Sequence, residues 1–455
     1  MRGSAIYAHL WGTAEVDALL SDQARLQAWL DILATLAQAQ AEVGLIPPTA
    51  AEEITRQARV ERLDLEYVVA ETRATSHSTL GLIRGMQQIL SAEAGEWFCY
   101  GATVQDVADT WCALVARDLG GIVWRDLRAI EDALVRLARE HRDTPMAART
   151  HGQPGLPVTF GYKAAVWAGE VRRHLERLVQ GKDRWLVGQL GGAAGTGSLW
   201  GDRRRPLQER FCTLLGLGLP EGPWISARDR LAEFGAVLAM MTQTLGKIGN
   251  EVLQLQRPEV GEAAEPFTPG AVGSITMPHK RNPERSEHLV TLARLARVEA
   301  GLLLESMVVE HERDGRAWKA EWAAFPDLCR LVAASLALGR VVVQGLVLDP
   351  AAMAANLGAR GGYVLSERVM QALAERVGKQ SAHLLVYEAC MAGVEQGLSL
   401  REALAAAPEI GKHLSAGELD SLCDPAAPVD QAPEVTDEIL AAVERARSQD
   451  PPGWP

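Results

Sequence analysis

The sequence predicts an all-α fold built around long helices. Apolar residues recur every three to four positions through most of the chain, several such runs exceed twenty residues, and strand-like alternation is weak and short everywhere. With 455 residues the chain can hold two or three domains and a sizeable core.

The helices follow in chain order. Residues 23 to 43, QARLQAWLDILATLAQAQAEV, carry apolar residues at three- and four-residue spacing and stop at GLIPP, where Gly and Pro end a helix. From Asp106 to His141 the residues Trp111, Val115, Leu119, Ile122, Leu127, Ile130, Leu134 and Leu137 form one stripe. At about 1.5 Å rise per residue that stripe is about 50 Å long. Similar patterns cover about 158 to 188, 228 to 256 and 284 to 312, with a shorter one at about 327 to 348. Five such segments suggest a central bundle over 106–349. A smaller helical module precedes it over 1–105 and another follows over 350–455, ending in the Pro-rich tail SQDPPGWP.

Composition excludes several function classes. Hydrophobic residues make up 47% of the chain, which marks it as globular. The net charge of -12 denies it the basic field that nucleic acid or an anionic membrane requires. A local basic pocket for a small anion remains compatible with that charge. The six cysteines, Cys99, Cys112, Cys212, Cys329, Cys390 and Cys423, form no CxxC pair and several sit in apolar helical runs. They read as reduced core residues of a cytoplasmic protein. No apolar run reaches the length of a membrane span, and the N-terminus lacks the pattern of a signal peptide. No metal motif and no dinucleotide fingerprint occurs, so neither metal nor cofactor is expected.

Four stretches interrupt the helices with polar, Gly or Pro content: ATSHSTLG (74 to 81), GATVQDVADT (101 to 110), ARTHGQPGLP (148 to 157) and GSITMPHKRNP (273 to 283). Each lies near a predicted helix end, and each alone could be a cap or a turn. Together, three of them bearing His or Lys, they suggest helix ends that meet around a ligand. The last stretch has its own logic. Gly273 permits unusual backbone angles, while Pro278 and Pro283 stiffen the loop. The helix starting near Glu284 places its N-terminal amides close to Lys280 and Asn282, a set suited to a carboxylate.

GSITMPHKRNP resembles the signature of the fumarase/aspartase superfamily, written GSSxMPxKxNP. GATVQDVADT resembles that family's first conserved region and RTHGQPGLPVTFGYK its second, so the resemblance covers nearly the whole chain. It implies three helical domains, a tetramer core of twenty helices with five from each subunit, and active sites each built from three subunits. Members generally eliminate a group from a succinyl unit and release fumarate. A base removes the proton next to a carboxylate, fixed cations hold the resulting charge, and an acid protonates the leaving group.

By that resemblance Ser274 is the base, activated by closure of its loop. His151 is the acid and Glu287 the carboxylate that orients it. Lys280 and Asn282 hold the carboxylate whose charge grows, with Met277 in the same loop against the substrate. Thr103 and Gln105 hold the second carboxylate, helped by Thr150. His77 matches a histidine that adenylosuccinate lyases place near the substrate.

Departures from the pattern narrow the substrate. Ile275 replaces the second serine of the signature, and Val104 removes a hydroxyl from the first region. The N-terminal IYAHLWG lacks the Arg-Tyr pair, and the stretch HERDGRAWKAEWAAFPDLC lacks the Ser-rich, Arg-containing segment, with which adenylosuccinate lyases hold a nucleotide phosphate. The run AW-x-AEW-x-x-x-P, GGAAGTGSL and HLSAGELDSLCDP are instead similar to the carboxymuconate cycloisomerase branch, although its bacterial members tend to replace the histidine kept here as His151. The expectation is a lyase acting on a small amino- or nitro-substituted succinate. Carboxymuconate cycloisomerase, adenylosuccinate lyase and a non-catalytic structural homologue are the alternatives.

Overall fold

The computed structural model describes residues 4–268, 270, 275–277, 279–427, 429 and 431–454. The chain is all-α, with two small two-stranded antiparallel sheets among the described residues. The helices that matter for the site are α1 (Asp22–Glu42), α2 (Leu65–Thr75), α3 (Leu80–Gln87) and α4 (Val104–Glu140). A hairpin follows, β1 (Pro145–Thr150) and β2 (Gln153–Thr159), leading into α5 (Phe160–Trp185). Next come α6 (Asp229–Gln256), β3 (Ala263–Ala264), α7 (Glu284–Glu305), α8 (Gly315–Gln344) and β4 (Val347–Leu348). After these, α9 (Pro350–Gly358), α10 (Ser366–Val377) and α11 (Lys379–Glu395) begin the C-terminal region, and α12 (Ala432–Arg447) closes the chain.

Helices α4 to α8 form the long bundle. α4 has 37 residues, about 55 Å at about 1.5 Å rise per residue. Its start is fixed by Thr103, whose backbone N–H donates to the Asp106 carboxylate at 2.9 Å. α6 and α7 approach closely because Gly249 faces α7: a Cβ there would lie 2.8 Å from the Ser286 carbonyl oxygen. α8 starts twelve residues before the segment expected from 327. The apolar pattern breaks at Pro326, yet the helix runs through it, with the ring buried among Phe325, Leu328 and the rest of the core.

Two cores organise the chain. The larger joins the N-terminal helices to the bundle. The smaller holds α9 to α11 and their neighbours, together with Ala147 of β1. α12 returns to the larger core, where Leu440 and Val443 are buried. The Pro-rich tail docks as well. Asp450 binds Arg172 at 2.8 and 2.9 Å and Arg128 at 2.6 Å, and the Trp454 indole N–H donates to the Arg117 carbonyl at 2.7 Å. All six cysteines are unpaired. Among the described residues no helix is long and apolar enough to cross a membrane.

Candidate active site

The predicted site residues fall at the two ends of the bundle. One end gathers the hairpin, the end of α6, the start of α7 and the end of α8. His151 and Gly152 form the hairpin's two-residue turn, both at positive φ (52° and 75°), between paired Thr150 and Gln153. Two positive φ values match a type I′ turn, whose twist suits the flanking strands, and His is among the residues that tolerate the left-handed region. The turn is exposed, with nothing within 4 Å of where a Gly152 Cβ would sit. Thr150 and His151 therefore stand out from their own chain.

A carboxylate absent from the sequence reading holds this hairpin. Glu262 is fully buried and accepts two hydrogen bonds from Arg149, at 2.8 and 2.7 Å, and one from Asn356 of α9 at 2.7 Å. Its carbonyl oxygen accepts from the Asp349 N–H at 3.0 Å. One residue thus ties the His151 hairpin to the α6–α7 connection and to α9.

Three residues on, Glu265 does the same for the start of α7. It accepts from the Arg285 N–H (3.2 Å), the Ser286 N–H (2.8 Å) and the Ser286 hydroxyl (2.9 Å). Those helix amides, expected to greet a ligand carboxylate, are occupied within the chain. A ligand carboxylate at this end would rely on Lys280 and Asn282. Lys280 is exposed, in a turn closed by its N–H to the Met277 carbonyl at 3.0 Å, and Asn282 is half-buried. Glu287 lies exposed in the first turn of α7, and Met277 is also exposed. Gly273, Ser274 and Pro278 lie outside the described residues, so the proposed base has no geometry here. His151 and Glu287 form no ion pair with each other among the described residues.

The opposite end holds the other group. The Thr103 hydroxyl accepts from Arg313 Nη1 at 2.8 Å, and the same guanidinium stands 5.5 Å from the Trp318 ring centroid. Gln105 points inward, not towards a cleft: it is 1% exposed and its Nε2 donates to the Ile225 carbonyl at 2.9 Å. His77 is exposed, and its Nδ1 accepts the Leu80 N–H at 3.2 Å, so the ring caps the start of α3.

Buried charges make this end rigid. Arg228 grips Asp109 at 2.7 and 2.9 Å and Glu321 at 2.8 and 2.5 Å, joining α4, the start of α6 and α8. Burial pushes both carboxyls up against the pull of the Arg228 guanidinium, and the neighbouring Asp109 adds to the rise at Glu321. Burial alone would lower the Arg228 guanidinium, but the two carboxylates outweigh it and raise it. Asp106 accepts from the backbone of Thr103, Gly191 and Gly192 and from Gln189 Nε2, at 2.9 to 3.0 Å. Burial raises its carboxyl to about 6 against the pull of those four donors. Such a network over-determines the backbone around Thr103.

One chain therefore brings Thr150 and His151 to the same end as Lys280, Asn282, Met277 and Glu287, and Thr103, Gln105 and His77 to the other. The length of α4 separates the two groups. Among the described residues no cluster of His, Cys, Asp or Glu has the arrangement of a metal site. Sequence reasoning missed Arg313, Glu262 and Glu265. Each is an isolated charge with no periodic signal, and its partner is remote in sequence or lies inside a loop.

Comparison with known proteins fits this layout. The lyase family model matches residues 13–298, and the model of the adenylosuccinate lyase C-terminus matches residues 362–439. The chain is 42% identical over 430 residues to N-acetyl-S-(2-succino)cysteine lyase of Dickeya dadantii, covering 94% of each protein. It is 38% identical over 452 residues to nitrosuccinate lyase of Streptomyces davaonensis, covering 95% of this chain and 93% of the relative. The crystal structure of 3-carboxy-cis,cis-muconate lactonizing enzyme from Pseudomonas putida superposes with a TM-score of 0.91 at 36% identity, over 98% of this chain and 100% of that one. Signature, long-helix bundle and relatives agree, and the chain belongs to the fumarase/aspartase superfamily of lyases.

Proposed function

We propose that the protein removes a substituent from C2 of a succinyl unit and releases fumarate, in sites completed by several copies of the chain. The observation that carries this reading is the division of the candidate site. Lys280 and Asn282 stand at one end of the bundle and Thr103 with Arg313 at the other, and each set suits one carboxylate. A dicarboxylate touches both only where the end of one chain meets the opposite end of another. Exposed apolar side chains on α6 to α8 and the turn after α7, among them Met240, Val298, Val308 and Val341, suit such an assembly, which we take to be a homotetramer.

In this reading Ser274 takes the C3 proton, and the electron pair moves into the adjacent carboxylate, held by Lys280 and Asn282. The pair then returns to form the C2–C3 double bond as the C2 substituent departs. His151, held by Glu287, gives the departing atom its proton, so the products are fumarate and the protonated leaving group. Thr103 and Arg313 hold the second carboxylate through both steps, with Thr150, His77 and Met277 around them, while Gln105, expected to share that role, is buried and bound to the Ile225 carbonyl.

Sulfur is the first candidate for the departing atom, since the 42% identical relative is a lyase of N-acetyl-S-(2-succino)cysteine. Nitrogen is the second, as in nitrosuccinate or an amino-substituted succinate. Cycloisomerisation is a further reading, supported by the 0.91 TM-score to the lactonizing enzyme. The test is a panel on purified protein with fumarate followed by ultraviolet absorbance: N-acetyl-S-(2-succino)cysteine, nitrosuccinate, aspartate, argininosuccinate and adenylosuccinate, with 3-carboxymuconate assayed for lactone. Fumarate from one succinyl substrate supports elimination and names the leaving group. Lactone without fumarate replaces elimination by cycloisomerisation.

A further inference from the structure

Glu287, the carboxylate that orients His151 in the elimination reading, depends on its neighbours for its own position. Its side chain is exposed and makes no ion pair or hydrogen bond among the described residues. Pro283 stands at the N-cap of α7 and supplies no side-chain cap, so the first turn needs partners from elsewhere. The residues on either side of Glu287 have them. Glu265 holds Ser286 by its N–H and its hydroxyl, at 2.8 and 2.9 Å. His288 is held from 278 residues away, with Nε2 2.7 Å from the Leu10 carbonyl oxygen. A carbonyl only accepts, so Nε2 carries the hydrogen and donates it. The Trp11 ring meets the same imidazole at 61°, with centroids 5.4 Å apart.

The N-terminal segment that makes this contact adds little to the core. Its one helical turn, Ala8–Leu10, buries no residue, and Ile6 is 75% exposed. Of its apolar side chains only Trp11 packs against the larger core. A hollow of about 570 Å³ opens between the segment and Asp327, Arg330 and Leu331 of α8. Among the described residues, the bond from Leu10 to His288 is the one hydrogen bond that leaves residues 4–12. The segment's one polar link therefore goes to the first turn of the helix that carries Glu287, one residue away from it.

We infer that His288 is a positioning residue for the acid step, and that through it residues 4–12 belong to the framework of the active site. The inference rests on the elimination reading and deepens it. With Ser286 and His288 both anchored, the Glu287 carboxylate stays where it orients His151. His151 then gives its proton to the departing atom as the bond to C2 breaks.

The test compares two thioethers that release thiolates of different basicity, 2-(ethylthio)succinate and 2-[(4-nitrophenyl)thio]succinate, in single-turnover cleavage to fumarate. Ethanethiolate is a strong base and needs the acid, whereas the nitrobenzenethiolate departs with little help. His288→Leu keeps the bulk and removes the donor. It should slow the ethyl compound by about tenfold and the nitrophenyl compound by about twofold or less. His288→Gln, whose amide N–H can reach the same carbonyl, should bring the ethyl compound back to within about twofold of wild type. In a chain lacking residues 1–10, which has already lost that carbonyl, His288→Leu should add less than about twofold. Equal losses on both thioethers, no loss in His288→Leu, or full additivity with the truncation overturns the inference. If the wild type forms fumarate from neither thioether, elimination of sulfur has failed on its own account. The anchor is then judged by amide hydrogen exchange over residues 284–291. Faster exchange in His288→Leu than in wild type upholds it, and unchanged exchange overturns it.

Discussion

Mixing two inactive variants tests whether the two ends of one chain belong to different active sites. The first variant is His151→Ala, at the hairpin end. The second carries Thr103→Val and Arg313→Ala, at the opposite end. α4 alone spans 37 residues, about 55 Å, so no single chain can place both ends on one succinyl unit about 5 Å long. Each variant by itself should be inactive, because every site it builds contains the lesion. When the two chains are unfolded together in equal amounts and reassembled, each site draws its hairpin end from one copy and its Thr103 end from another. Random assembly then gives intact sites in about a quarter of cases. The assay is initial rate of fumarate formation from the best substrate of the panel, against wild type taken through the same cycle. Recovery near a quarter is the expected result. No recovery from well-folded, correctly sized mixtures would refute the shared site and require a rearrangement that brings both ends of one chain together.

Two buried groups and one exposed turn residue give three further outcomes. Glu262→Gln keeps the shape of the node but leaves Arg149 facing an amide, and should lower stability by about 2 to 3 kcal/mol in urea unfolding while reducing kcat through a loosened His151 hairpin. Gly152→Ala meets open space, so its effect is purely conformational: at φ 75° it should cost about 1 kcal/mol, read as a lower Tm. Burial, with Arg177 beside it, lowers the His174 imidazole to about 4. The unfolded chain, whose histidine titrates near about 6.5, then binds the proton first, and stability is lost as pH falls from about 6.5 to about 4. Between about pH 7 and about pH 5 that loss is about 2 kcal/mol per chain, and His174→Gln should flatten this part of the unfolding profile.

The long helices were legible because burial of one face leaves a periodic trace. The segment expected over 228–256 is α6 at Asp229–Gln256, and that over 106–141 is α4 at Val104–Glu140. α7 ends at Glu305 instead of 312, and α8 begins at Gly315 instead of 327, because a buried proline can be carried inside a well-packed helix. The hairpin around His151 left little trace: its strands carry three prolines and its turn is His-Gly, not the common Asn-Gly. Lys280, Asn282 and Glu287 were named through the signature, since their side chains are exposed or half-buried and make no pattern of their own. Glu262, Glu265 and Arg313 act through partners up to 210 residues away, which no local pattern encodes.

Those missed residues bear on how the site is assembled. Glu265 holds the start of α7, Gln256 Nε2 donates to the Arg281 carbonyl at 3.3 Å, and Glu262 holds the hairpin, so both feet of the signature loop and the His151 turn are fixed to one framework. Beyond that framework the chain presents what it does not cover. Ile275, where the superfamily signature has a serine, is 97% exposed, and Val308 is 80% exposed. Burying an isoleucine or valine side chain is worth about 1.5 to 3 kcal/mol. Two such side chains per copy, repeated around a closed assembly, favour states in which a neighbouring chain or a bound substrate covers them. Where the signature has a polar serine, this chain offers an apolar side chain to whatever covers the loop.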